Sequence, residues 1–147
     1  MTAVYEQADV RFLYPENWAL DNREESGSPW AVSVHSPSGA FWSLTVHDGN
    51  LGLDELGTET LQAVEREYQE SFFESIKAED EIAGCSAVGY DINFFYFDLL
   101  VTAKLRVFRM GRFNCIVLYQ AEDRDFEELN RVFQAITLSL FSDVESG

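Results

Sequence analysis

The residues with chemistry to offer are few: two histidines, two cysteines and a run of four cations. His35 and His47 flank a β-hairpin signal, in which the alternating runs 30–36 and 41–48 are separated by Pro37, Ser38 and Gly39. With Ser38 and Gly39 as the central pair, His35 faces Trp42 and Trp30 faces His47. That register sends the histidines to opposite faces, which disfavours a shared metal ion or a two-histidine relay. His47 beside Asp48 reads as a strand-end surface histidine. Cys85 and Cys115 form no CxxC and read as reduced, small, buried residues. The glycine-flanked "GCSAVG" has no lysine and opens no helix, so it is a poor phosphate loop. The chain carries no G-x-S-x-G, H-E-x-x-H or G-x-x-x-x-G-K-[ST]. Its acidic clusters miss the calcium-loop spacing and read as solvated helix faces. No catalytic, cofactor-binding or metal-ligating residue is therefore nominated.

The cations are more informative. Lys104, Arg106, Arg109 and Arg112 are four of the ten basic residues, within one strand and its turn. Lys104, Arg106 and Arg112 share strand parity and hence a face. They either pair across strands with acids such as Asp91 or Asp98, or form a docking spot for an acidic group.

The elements that must position these residues follow from periodicity. "VRFLYP" reads as a first strand stopped by Pro15, and 21–29 as a polar loop. Leu61, Val64, Tyr68 and Phe72 make one apolar stripe, predicting a helix over Thr58–Ile76 with Thr58 as N-cap and Glu59 in its first turn. Four strands follow: a short one at "DEIAG", then 87–97, 103–110 and 113–121. The last two join at Gly111-Arg112, and the preceding turn is placed in Asp98–Thr102. A second helix over Asp125–Phe141 buries Phe126, Leu129, Phe133, Ile136 and Leu140, with Asp125 and Glu128 as a capping box. The order β, hairpin, α, about four β, α, with short late connections, gives an α+β domain with a mainly antiparallel sheet.

One stretch resists local explanation. In "NFFYF", Asn93, Phe95 and Phe97 point one way and Phe94, Tyr96 and Asp98 the other. Helices on opposite faces would bury both aromatic sets; helices on one face would leave one set open.

At 147 residues the chain is one domain, and 46% hydrophobic content excludes disorder. A net charge of −16 disfavours nucleic acid and anionic membrane surfaces. No apolar run approaches a membrane span, and the N-terminus reads as leaderless, so membrane insertion is not expected and the compartment expected is cytoplasmic.

The motif F-x-YP-x-x-W at Phe12, Tyr14, Pro15 and Trp18 resembles the PsbP/Mog-like superfamily when followed by a hairpin, a helix, an antiparallel block and a closing F-x-x-I-x-x-S helix at Phe133, Ile136 and Ser139. The resemblance spans residues 10–141 and implies an α/β/α sandwich of six to seven strands with two long helices, most of the NFFYF rings being core. It also implies a mostly non-enzymatic protein that acts by protein contact, as the photosystem, nuclear-transport and effector-chaperone members do. The expected function is a protein-interaction module, adaptor- or chaperone-like, a monomer or weak homodimer with an unidentified protein partner. The candidate surface is Phe95, Phe97, Lys104, Arg106 and Arg112. The alternative is a small-molecule binder or hydrolase with a pocket between sheet and helix.

Overall fold

Alternating apolar residues dominate the chain, and strands dominate its fold. The computed structural model describes residues 1–7, 10–23, 30–48, 51–68 and 72–142. Strands β1 (Thr2–Gln7) and β2 (Val10–Pro15) form a separate antiparallel hairpin. Strands β3 (Ala19–Arg23), β4 (Trp30–His35), β5 (Phe41–Asp48), β6 (Phe73–Ile82), β7 (Cys85–Tyr96), β8 (Leu99–Met110) and β9 (Phe113–Glu122) make one antiparallel sheet. Its order is β3-β4-β5-β9-β8-β7-β6, so β3 and β6 are the edges. Helix α1 (Leu53–Glu67) follows β5, and α2 (Asp123–Ser142) closes the described chain.

The helices lie on opposite faces but are staggered. On β8, Leu105 and Val107 pack with Leu56 and Val64 of α1, whereas Phe108 packs with the cluster that holds Phe133, Ile136 and Leu140 of α2. Successive strand residues alternate faces, so the two clusters sit on the two sides of the sheet. The β1–β2 hairpin lies on the α2 side, where Phe12 meets Trp42 at 4.8 Å between ring centroids. Phe12 is fully buried, Trp18 meets Phe133 edge-on at 5.9 Å, and β2 ends at Pro15. The aromatic-proline motif is thus a core plug. This is the α+β sandwich read from the sequence, with seven strands in the main sheet.

Several local expectations change. The hairpin register is one residue off: His35 faces Phe41 and Trp30 faces Val46. Ser36 N–H donates to Ala40 C=O at 2.8 Å, and Gly39 takes φ +96°, which makes a three-residue loop and not a two-residue one. A one-residue slip moves side chains to the other face, so both histidines lie on the face opposite Val34 and Trp42. The first strand is β1, not the VRFLYP strand, and part of the expected 21–29 loop belongs to β3. Residues 24–29 and 143–147 fall outside the described residues.

Helix α1 starts at Leu53, with Gly52 and not Thr58 as its N-cap. Asp54 and Glu55 occupy its first turn, and it ends at Glu67. The segment Phe73–Ile82 is extended because it completes the sheet against β7, and the short DEIAG strand is only its end. The β7–β8 turn is Phe97-Asp98, since Tyr96 already faces Leu99. Helix α2 is capped by Glu122, whose Oε2 accepts the Arg124 and Asp125 N–H groups at 2.9 and 3.3 Å. Desolvation pushes that carboxyl up, but these backbone bonds and the Arg124 guanidinium together outweigh it and hold it below the usual carboxylate range.

Candidate functional site

Three places gather the residues with chemistry to offer. The first is Arg106, on the α2 side of β8. It stands opposite Gly89, where a Cβ would come within 1.8 Å of the Leu105 carbonyl oxygen. Only glycine fits there, and the missing side chain lets the guanidinium lie against the sheet. Its Nε donates to Asp80 Oδ2 at 2.7 Å and its Nη2 to Asp91 Oδ1 at 2.8 Å. Its Nη1 donates to the carbonyls of Leu105 and Tyr90 at 2.9 and 3.2 Å. Arg106 is 6% exposed. Burial favours the neutral form, but the bonds to Asp80 and Asp91 outweigh it and raise the guanidinium pKa above its ordinary value. With four donations made inside the fold, Arg106 joins three strands and has little left for a partner.

Beside it, a cavity of about 370 Å³ opens between the sheet and α2, lined by Asp80, Ile82, Lys104, Tyr119, Thr137 and Leu138 among others. Tyr119 stacks on Phe133 at 4.8 Å, and burial pushes its phenol up to about 12. Thr137 is committed, since it accepts from Trp42 Nε1 and donates to the Phe133 carbonyl, both at 2.9 Å.

The second place is the open face of β3–β5, uncovered by α1. A hollow there is lined by Asp21, Ser33, His35 and Thr45 among others. Ser33 Oγ and His35 Nε2 lie 3.0 Å apart, as two positions on one strand that share a face. A serine–histidine hydrolase also needs a group to orient the imidazole and N–H donors for an oxyanion. Among the described residues no carboxylate is hydrogen-bonded to His35, and the neighbouring strands pair with one another in continuous register. His47 faces Asn114, six positions along β5 from the partner of His35 and so roughly 20 Å away. The histidines share a face without sharing a site, and no group of three or more possible metal ligands occurs among the described residues.

The third place is the end of the sheet where β7 turns into β8. Phe94 is fully buried under α1, stacked with Tyr68 and Phe73. Its neighbours are not: Phe95 is 39% exposed, Tyr96 44% and Phe97 75%, with Phe72 and Leu99 also exposed. Phe72 meets Phe95 at 5.6 Å, and Phe97 meets Tyr96 at 4.6 Å. Phe97 takes φ +56° at the first position of a two-residue turn. Glycine is the usual occupant of such a position, because a Cβ there costs roughly 1–2 kcal/mol.

The five residues expected to form one surface are therefore dispersed. Phe95 and Phe97 sit at the aromatic end and Lys104 lines the cavity, whereas Arg106 is locked in its ion pairs. Arg112 leaves the strand at the β8–β9 turn and lies 5.0 Å over the Phe113 ring, so it does not share the Lys104–Arg106 face. The expected Asp91 partner is correct and Asp98 takes no part in the Arg106 ion pairs, while Asp80, in the expected DEIAG strand, reaches Arg106 because β6 runs alongside β7. Cys115 is buried and Cys85 half-buried, both as free thiols.

No family model and no curated protein matches the sequence. Solved structures do match the fold. Cyanobacterial PsbP (CyanoP) from Synechocystis sp. PCC 6803 aligns with a TM-score of 0.69 at 12% identity, over 94% of this chain and 90% of that one. A Pseudomonas aeruginosa protein of unknown function, PA94, described as a putative regulator, aligns at 0.52 and 14% identity over 95% of each chain. A Bacteroides thetaiotaomicron protein aligns at 0.56 and 11% identity over 88% of this chain but 43% of that one. At these identities the likeness is one of architecture, and on that ground the protein has a PsbP-like fold.

Proposed function

We propose that this protein is a non-catalytic protein-interaction module, adaptor- or chaperone-like, that docks its partner on the aromatic end of the sheet. One observation carries the reading: Phe97 is a largely exposed phenylalanine at a positive-φ turn position. A residue that is both strained and solvent-facing is kept against stability, and such outliers cluster at functional sites. Phe72, Phe95, Tyr96 and Leu99 extend it into an apolar patch of the kind that marks interaction surfaces. The module works in the cytoplasm as a monomer or weak homodimer and binds no nucleic acid.

Phe97→Gly tests this because it separates stability from binding. Glycine relieves the strain, so the variant should melt at or above the wild-type temperature. Affinity capture with crosslinking should recover a stoichiometric partner for wild type and lose it for Phe97→Gly. No partner for wild type, or equal recovery by both proteins, refutes the proposal. A second reading, small-molecule binding, is supported by the cavity below α2, where Lys104 and the Tyr119 hydroxyl meet an apolar wall at Ile82 and Leu138.

A further inference from the structure

The sheet has two edges of unequal length. Strand β3 is five residues long, whereas β6 runs for ten residues without proline, glycine or bulge. A long regular edge presents unpaired backbone groups to any chain that can pair with them. The ladder fixes which groups those are. Phe95 N–H donates to the Phe72 carbonyl at 3.3 Å. Antiparallel pairs alternate between bonded and non-bonded, so Glu74, Ile76, Ala78 and Asp80 bond to β7. The N–H and C=O groups of Phe73, Ser75, Lys77, Glu79 and Glu81 then point outward.

Side chains along this edge are sorted by face. On the α2 side stand Phe72 and Ile76, 40% and 63% exposed, with Glu74 between them and Asp80 beyond; Phe72 packs on Phe95. On the α1 side stand Lys77, Glu79 and Glu81. Lys77 lies 3.7 Å from Asp54, and Asp80 is held by Arg106, so the β6 charges without an ion pair among the described residues are Glu74, Glu79 and Glu81. Pairing with a second copy about Lys77 would set Lys77 against Lys77 and Glu74 against Asp80, which like-charge repulsion opposes.

We propose that β6 is a strand-addition site for an extended peptide segment that is basic on one face and apolar on the other. The incoming strand bonds to the outward groups of Ser75, Lys77 and Glu79. It places lysine or arginine beside Glu79 and Glu81, and apolar side chains beside Ile76 and Phe72. The −16 net charge of the chain draws the same partner from a distance and repels acidic competitors. This inference rests on the protein-interaction reading, since it names the chemistry of a partner for the surface that runs from the aromatic end along β6.

The test uses the whole chain and a labelled heptapeptide of alternating lysine and valine. Its binding is followed by fluorescence anisotropy and by amide shifts in two-dimensional NMR. The largest shifts are expected at the amides of Phe73, Ser75, Lys77, Glu79 and Glu81. Methylating the peptide's ladder-facing amides, or replacing its lysines with glutamates, should weaken binding by about tenfold or more, a change of ~1.4 kcal/mol per tenfold. Glu79→Pro removes an outward N–H but no bond to β7, so binding should fall while the circular dichroism spectrum is kept. Glu79→Lys combined with Glu81→Lys should weaken binding, most of all at low salt. Absence of binding, equal affinity for the methylated peptide, or shifts confined to residues outside β6 would each overturn the inference. A silent edge with a partner that still depends on Phe97 overturns it alone. Edge binding by a protein whose Phe97→Gly variant keeps every partner overturns the aromatic-end reading instead.

Discussion

Replacing Arg106 with methionine keeps the length of the side chain and removes every donor. The cost follows from four bonds. The two bonds to Asp80 and Asp91 are short, but those carboxylates are 48% and 45% exposed. Solvent screening therefore reduces each to about 0.5–1 kcal/mol. The Leu105 and Tyr90 carbonyls face each other in the β7–β8 ladder and keep their backbone donors, so each loses only a second bond, worth about 0.5–1.5 kcal/mol. The adjoining cavity can admit water to one of them, which puts the sum at about 2–4 kcal/mol. At this chain length that corresponds to a melting point lower by roughly 5–15 °C. Urea unfolding followed by tryptophan fluorescence gives the free energy directly. Asp80→Asn serves as the control: it removes one partly exposed bond and leaves three, so it should cost ~1 kcal/mol or less. The Arg106→Met and Asp80→Asn double variant should recover part of the loss by relieving the stranded carboxylate. If Arg106→Met unfolds within about 1 kcal/mol of wild type, Arg106 is no three-strand tie, and a docking role returns.

Phe94→Ala should cost about 3–5 kcal/mol, because its ring is fully buried between Tyr68 and Phe73, and Phe95→Ala about 1 kcal/mol or less; comparable losses in thermal melting would contradict the assignment of faces. Alkaline titration should unfold the protein through Tyr119 and Cys115, whose folded values are both raised by burial to about 12. For a group with a raised folded pKa, the stability is complete below the unfolded value and is lost as pH climbs to the folded one. The loss should therefore begin near pH 9–10 and continue to about pH 12, with Tyr119 contributing roughly 2–3 kcal/mol. Tyr119→Phe should flatten that part of the profile in chemical denaturation; an unchanged slope would show that the phenol does not titrate in the unfolding reaction.

Periodicity over consecutive residues is a local property, and what depended on it was legible. The α2 stripe, the two strands flanking Gly111-Arg112, the plug of Phe12 and Trp18, and the antiparallel α+β class all follow from spacings of two or of three and four. The Arg106–Asp91 pair was legible for the same reason, since adjacent antiparallel strands bring such residues together. Segment 73–79 was not, although the strand expected from Asp80 is the end of β6. Tyr68 and Phe72 continue the spacing of α1, and nothing local distinguishes a helix that runs on from one that stops. The free edge of β7 decided it, because pairing there satisfies a row of backbone groups that a longer helix would leave open. The hairpin slip has a similar origin. Either loop length suits Pro37–Gly39, and the buried row of Val32, Val34, Trp42 and Leu44 against α2 and β2 selects one register. With the first choice went the long edge of β6, and with the second the shared face of His35 and His47. Tertiary packing alone determines which face a residue takes and which strand it adjoins, because both are relations between segments distant along the chain.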